Sequence, residues 1–274
     1  MMTNHWVSII VPAYNRGYII RDVLQSILNQ TYTEFELLVV DDASADQTKE
    51  VVCAMADNRI VYHRLEQNGG PSAARNYGIR KARYDYIAFG DSDDFWHADK
   101  LCRQMEVLTG AGEDTGFCYH KIRYQMGENQ YAILPSENIP AEKKSGDIFA
   151  QLLEDNMVDC PSLLVRRQCL MEAGGFDTDL KALEDYDLAL RMAKRYQAAF
   201  IDAVLLESSF SVTGVSGNPV NYLLASCRLV YKYKKEYLAT GTLNHRLEVI
   251  LRDAEAIGMK EHFVKMLERI MVSA

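Results

Sequence analysis

Tyr84-Asp85-Tyr86-Ile87-Ala88-Phe89-Gly90-Asp91-Ser92-Asp93-Asp94 is an apolar, β-prone run that stops abruptly on three carboxylates. Bounded in this way, it predicts a strand over 84–89 with the acidic cluster just past its carboxyl end. Two runs upstream have the same form. Trp6-Val7-Ser8-Ile9-Ile10-Val11 leads into Pro12-Ala13-Tyr14-Asn15-Arg16, and Phe35-Glu36-Leu37-Leu38-Val39-Val40 leads into Asp41-Asp42-Ala43-Ser44. A further short strand is predicted over 60–64. Helical spacing of Ile19, Ile20, Val23, Leu24, Ile27 and Leu28 predicts a helix over 18–30, and another is predicted over 72–82. Ser44 followed by Gln47 fits a capping box opening the intervening helix. Strands alternating with helices imply βαβ units and a mainly parallel α/β sheet. In such sheets ligands bind outside the carboxyl ends of the strands, so the three polar loops are expected to form one pocket.

Beyond residue 100 the pattern changes. After a helix over 101–108, residues 117–140 mix short strands with loops, helices follow over 148–153 and 184–196, and strands near 162–166 and 199–201. The sequence therefore divides into a domain over 1–215, with a nucleotide-binding half (1–100) and an acceptor half (101–215), and a helical extension over 216–274. In the extension Arg228, Lys232, Lys234 and Lys235 alternate with Tyr231, Tyr233 and Tyr237, which suits either a solvated face or peripheral contact with a membrane.

Composition narrows the partners. The chain has 274 residues with 48% hydrophobic and 25% charged, enough to bury a sizeable core. Lys and Arg number 30 against 38 Asp and Glu, a net charge of −8 that argues against nucleic acid, whose binding rests on phosphate neutralisation. The six cysteines form no CxxC pair, so reduced, mostly buried thiols are expected. The start MMTNHWVSIIVPAYN lacks the cationic and apolar segments of a signal peptide, and no run approaches a membrane span. A cytoplasmic location, at the inner face of a membrane, is the expectation. Pairing of two copies is compatible with the sequence.

Several residues carry chemistry on either of two readings. Carboxylates two apart at a strand end can hold a hard divalent cation that bridges phosphates, or can cap the next helix. Asp42 can accept a hydrogen bond from a base or ribose, whereas Asp41 is either a ligand group or a solvated strand end. Gly69-Gly70-Pro71-Ser72-Ala73-Ala74-Arg75-Asn76 opens a helix whose first-turn amides and cation favour an anion, or is a plain turn with a solvated arginine. Glu184 and Asp185 begin a helix, where carboxylates are favoured by the dipole and where Asp185 could serve as a general base.

In order along residues 5–210, these segments resemble glycosyltransferase family 2. The matching pieces are Val7 to Asn15, Ser26-Ile27-Leu28-Asn29-Gln30-Thr31-Tyr32, Phe35 to Ser44, Asn68 to Asn76, the Asp91 cluster, and Gly175-Phe176-Asp177 with Glu184-Asp185. The resemblance implies a GT-A fold, Rossmann-like, with a mainly parallel sheet flanked by helices. It implies transfer from a nucleotide-diphosphate sugar, usually a UDP sugar, to a saccharide or lipid-linked hydroxyl with inversion, by a hexosyl- or N-acetylhexosaminyltransferase of polysaccharide biosynthesis. On that reading Pro12, Ala13, Tyr14 and Asp42 hold uridine, with Asn15 in the same loop. Arg75 lies near the nucleotide, and Asp91 with Ser92 contacts ribose or sugar. Asp93 binds Mn²⁺ or Mg²⁺, Asp94 caps the next helix, and Asp185 deprotonates the acceptor. Gly90 departs from the pattern, which often has a larger apolar residue there. Two other classes fit less well. A sugar-phosphate nucleotidyltransferase needs a glycine-rich, basic N-terminal loop, and a non-catalytic nucleotide-sugar-binding module would keep the fold without the chemistry. A dinucleotide oxidoreductase fits less well again, because Gly110-Ala111-Gly112 follows a helical run rather than a strand and lacks the remaining glycine spacing.

Overall fold

The computed structural model describes residues 5–209 and 218–272, so the expected boundary at 215/216 lies outside the described residues. Strands β1 (Val7–Ala13), β2 (Phe35–Asp41), β3 (Ile60–Arg64) and β4 (Tyr86–Phe89) pair in parallel in the order β3-β2-β1-β4. Between them run α1 (Ile20–Leu28), α2 (Thr48–Cys53) and α3 (Pro71–Lys81). This is the expected βαβ half. The sheet then continues as a mixed one. β8 (Leu164–Arg166) pairs antiparallel with β4 and with β6 (Thr115–Gly127), which runs parallel to β9 (Gln197–Ser209). The two-residue β5 (Phe95–Trp96) joins the far edge of β9, and β7 (Gln130–Leu134) forms a hairpin with β6.

Both faces of this sheet are covered, which is why β1 and β2 read as continuous apolar runs rather than alternating ones. Ile9, Val11, Leu37 and Val39 pack with Ile20, Leu24 and Ile27 of α1 and with Leu101, Met105 and Leu108 of α4 (Lys100–Gly110). Ile10, Leu38 and Val40 point the other way, into a cluster with Ala74 and Ile79 of α3. That second cluster also takes in α5 (Phe149–Glu154), α6 (Arg167–Ala173) and α7 (Glu184–Ala193). It reaches the C-terminal helices α8 (Pro219–Lys232), α9 (Lys234–Thr240), α10 (Leu243–Ala256) and α11 (Lys260–Val272) through Leu229, Tyr237, Ile250 and Phe263.

The tyrosines of α8 and α9 therefore part company. Tyr233 and Tyr237 are core residues, Tyr233 donating to Asp187 Oδ1 at 2.9 Å, while Tyr231 alone of the three is exposed. Among the described residues no helix is long and apolar enough to cross a membrane. All six cysteines are free, four of them buried.

Two local expectations are corrected. Ser44 does not cap α2; its hydroxyl accepts the Asn15 amide at 2.9 Å, and Asp46 takes the Thr48 amide at 3.0 Å instead. Nor does Asp94 cap a helix. The chain after it goes into β5, α4 starts only at Lys100 behind Asp99, and Asp94 turns inward to a buried position.

α3 sits tightly on β1 because Gly78 faces it. A Cβ at that position would lie 2.5 Å from Ile10 Cγ2, inside van der Waals contact with a fully buried strand residue. Gly78→Val is expected to destabilise the protein by about 1–3 kcal/mol through overpacking, outweighing the few tenths gained in helix propensity, as a lowered urea midpoint will register.

Candidate active site

The three polar loops do meet, and their contacts are specific. Asn15, in the left-handed region at φ 53°, accepts the Ala45 amide on Oδ1 at 2.8 Å, which ties the loop after β1 to the loop after β2. Asp42 is buried and its two oxygens each accept one backbone amide, from Gly69 and Gly70, both at 2.8 Å. Those amides are thereby engaged by a side chain rather than left for a phosphate. Gly70 needs its glycine for a φ of 83°. A carboxylate offers about four lone-pair sites, so Asp42 keeps capacity for a donor from above. Pro12 and Ala13 are buried beneath Tyr14, which is 46% exposed at the mouth.

Asp41, one residue earlier, is not a solvated strand end. It is fully buried, accepts the Ser44 amide at 2.7 Å and the Tyr62 hydroxyl, and lies 3.6 Å from Arg64. It shapes the loop from behind.

The acidic cluster after β4 is threaded by cations. Arg75 of α3 is 4% exposed and donates to Asp91 at 2.6 Å and to Glu184 at 2.9 Å. Its charge is held firmly by those carboxylates despite burial, so its pKa stays well above the ordinary arginine value. One guanidinium thus bridges the β4 loop and the start of α7. Arg16, which had been given no role, reaches Asp93 from the β1 loop at 3.4 Å. Burial, then the charge of Asp91, raises the Asp93 carboxyl above its usual value.

Asp94 lies beneath, its Oδ2 buried without a hydrogen-bond partner, and burial with repulsion from Asp91 pushes it well up. Below it Lys100 is fully buried, bonded to Gln104 at 3.0 Å and 3.6 Å above the Trp96 ring; burial brings it down to about 7. Trp96 also accounts for Gly90, since a Cβ there would come within 3.2 Å of its ring. Sequence reading missed Lys100 and Trp96 as supports of the acidic loop because both lie past the motif, in a stretch between it and the helix over 101–108 that carried no pattern of its own.

Asp185 stands at the first turn of α7, with Oδ1 accepting the Tyr186 amide at 2.7 Å and Oδ2 the Cys160 amide at 3.1 Å. Burial and the neighbouring Asp159 carboxyl raise it well above the normal carboxylate range. The glycine-rich turn before α7 is a clamp. Asn76 of α3 accepts the Phe176 amide and donates to the Phe176 carbonyl, both at 2.8 Å, and a Cβ on Gly175 would strike Asn76 Oδ1 at 2.5 Å. Hydrogen bonds and ion pairs thus link the loops after β1, β2 and β4 to one another and, through Arg75, to the start of α7.

The acidic cluster fits a divalent cation. Asp91, Asp93 and Asp94 crowd one loop, two of them with raised proton affinity, and a bound cation relieves that repulsion. Among the described residues no group of three His, Cys, Asp or Glu side chains is arranged to hold a metal.

Residues 8–172 match the model for glycosyl transferase family 2, and the chain belongs to that family. It is 29% identical over 263 residues to the UDP-Glc:alpha-D-GlcNAc-diphosphoundecaprenol beta-1,3-glucosyltransferase WfgD of Escherichia coli, covering 95% of this chain and 96% of that protein. Uncharacterised glycosyltransferases of Rickettsia are also similar. One from Rickettsia typhi is 28% identical over 79% of this chain, and the chain spans 68% of it; of a longer Rickettsia felis relative, 30% identical over 73% of this chain, it spans 32%. The fold matches that of the mannosyltransferase PcManGT from Pyrobaculum calidifontis, solved with GDP-Man and Mn²⁺, with a TM-score of 0.64 at 18% identity over 100% of this chain and 77% of that one. The protein is therefore a family 2 glycosyltransferase with a GT-A fold.

Arg75→Met leaves Asp91 and Glu184 without their shared buried cation, so a loss of about 3 kcal/mol in unfolding free energy is expected, measurable by urea denaturation at neutral pH.

Proposed function

We propose that the enzyme transfers a sugar, with inversion, from a UDP sugar to a hydroxyl of a lipid-linked saccharide in polysaccharide assembly, working from the cytoplasmic side of a membrane. The observation that carries this reading is the Arg75 bridge, which sets the donor-side carboxylate Asp91 and the helix start bearing Asp185 on opposite ends of one guanidinium. The length-wide similarity to WfgD, whose name states a UDP-Glc donor and a diphosphoundecaprenol-linked acceptor, supports the nucleotide and the acceptor class. PcManGT, with its Mn²⁺, supports the cation.

In this proposal uracil lies on Tyr14 over Pro12 and Ala13, and a base N–H finds the remaining lone pairs of Asp42. Asn15 holds that loop in register. Asp91 and Ser92 face the ribose and donor sugar, with Arg75 fixing Asp91 from below. Asp93, now 3.4 Å from Arg16, is the residue that would hold Mn²⁺ or Mg²⁺. When bound, the cation supplies countercharge to the departing diphosphate, an effect worth several kcal/mol. Asp185 takes the proton of the acceptor hydroxyl as its oxygen attacks the anomeric carbon from the side opposite the diphosphate. A carboxyl with raised proton affinity is the stronger base once ionised. Residues 101–215 form the acceptor half, and the helices after 216 buttress it through the core they share.

Two substitutions separate binding from chemistry. Asp93→Ala is expected to abolish the Mn²⁺-dependent part of UDP binding in calorimetric titration; equal affinity with and without Mn²⁺ in the unmodified enzyme contradicts the metal assignment. With UDP-glucose and a GlcNAc-diphospholipid acceptor, Asp185→Asn is expected to lower turnover at least 10³-fold while UDP affinity stays within about twofold. Unchanged turnover removes Asp185 from the role of base.

A further inference from the structure

Asp159 lies in the loop between α5 and the tight turn at Cys160–Ser162, and nothing in the sequence motifs singles it out. Its carboxyl is hydrogen-bonded to that of Asp185. Its Oδ2 accepts the hydroxyl of Tyr124, from β6. The amide of the very next residue, Cys160, donates to Asp185 Oδ2 at 3.1 Å. The same short segment therefore grips Asp185 twice, once through its backbone and once through a side chain. Both residues are half-buried, and two carboxyls in contact resist ionising together, which favours one proton held between them.

We propose that Asp159 is a positioning residue for the transfer reaction, sharing one proton with Asp185 and fixing the orientation of that carboxyl toward the acceptor hydroxyl. This rests on Asp185 being the base. The groups that face the pair are Arg75 from α3, Asp91 and Asp94 from the loop after β4, Tyr124 from β6, and Cys160 beside it, with Glu184 next to Asp185 on α7. Only Arg75 among them is cationic, and it is committed to Asp91 and Glu184. Burial raises both carboxyls, Asp185 further lifted by Asp159.

The proton balance is simple. As the bond from acceptor oxygen to anomeric carbon forms, the bond from that carbon to the diphosphate oxygen breaks and its electron pair leaves with the diphosphate. The acceptor proton passes to Asp185, so the pair goes from one proton to two and later returns one to water. Tyr124 keeps Asp159 in place throughout by donating to its outer oxygen.

The test needs no substrate. In protein labelled with ¹³C at the aspartate carboxyls, with Asp185 assigned by its loss in Asp185→Asn, the Asp185 carbon is followed against pH. In Asp159→Asn the midpoint of its upper step, release of the shared proton, is expected to fall by at least one pH unit, more than tenfold in proton affinity. Asp159→Ser serves as the second variant, and thermal melts of both establish that they fold. A midpoint that stays within about 0.3 unit in a folded variant overturns the proposal. Assays with UDP-glucose and the GlcNAc-diphospholipid supply the kinetic counterpart: the acid limb of kcat/KM, which reports uptake of a second proton by the pair, moves to higher pH in Asp159→Asn because a lone carboxyl takes its proton more readily than the one-proton pair takes a second, and KM for UDP-glucose is unchanged, whereas a merely structural role lowers activity at every pH without moving the limb. If Asp185→Asn retains activity while the ¹³C midpoint still shifts, the base reading fails and the pair stands; if Asp185→Asn is inactive and no shift is seen, the pair fails and the base stands.

Discussion

A single buried guanidinium holds this active site together. Arg75 sits on α3, between the sheet and α7, and spends its two ends on Asp91 and Glu184. Each contact fixes a different segment: Asp91 belongs to the loop after β4, and Glu184 precedes Asp185 on α7. Charge joins β4 to α7 here alongside apolar packing, since Phe89 meets Phe176 edge to face at 5.3 Å. Burying an arginine is costly unless both ends are paired in good geometry, and the pairing here is tight enough to keep the charge. The register of α3 on β1, set by Gly78 against Ile10, places Arg75 in reach, and the Asn76 clamp on Phe176 brings the start of α7 to it.

Around that bridge the site is short of positive charge. Asp91, Asp93, Asp94, Asp159 and Asp185 all point toward one region. The cations that answer them, Arg16, Arg75 and Lys100, are each tied to a particular carboxylate or buried beneath the loop. Mutual repulsion and burial raise the proton affinity of four of the five acids. The imbalance is a form of preorganisation, because a divalent cation and a diphosphate can enter a cleft whose carboxylates gain from the cation's arrival. On the far side of the cleft, the same crowding makes Asp185 a more avid proton acceptor.

The parallel half of the fold was legible because its strands are buried on both faces and so read as unbroken apolar runs ending on polar loops. The meeting of the three polar loops was legible for the related reason that strand ends in such sheets converge. What the residues themselves could not disclose is which groups are tied up once the chain folds. Asp42 looks like a free acceptor in sequence, yet Gly69 and Gly70 occupy one site on each of its oxygens. Asp94 looks like a helix cap, yet the two-residue β5 intervenes and turns it inward onto Lys100. Asp159 sits in no motif and meets Asp185 only through a contact 26 residues away in sequence. Each of these depends on long-range placement, to which local periodicity is blind. The antiparallel strands of the second half were located only roughly, since β8 has three residues and carries little pattern of its own.

The central claim is that one cleft, keyed by Arg75, holds the nucleotide, the cation and the base. A crystal structure of the enzyme with UDP and Mn²⁺ tests it most directly. The account predicts the cation at about 2.1 Å from the Asp93 carboxylate with the diphosphate completing its shell, uracil against Tyr14 and Asp42, and the Arg75 contacts to Asp91 and Glu184 intact. UDP seated elsewhere on the protein, or a cation held without Asp93, would contradict it.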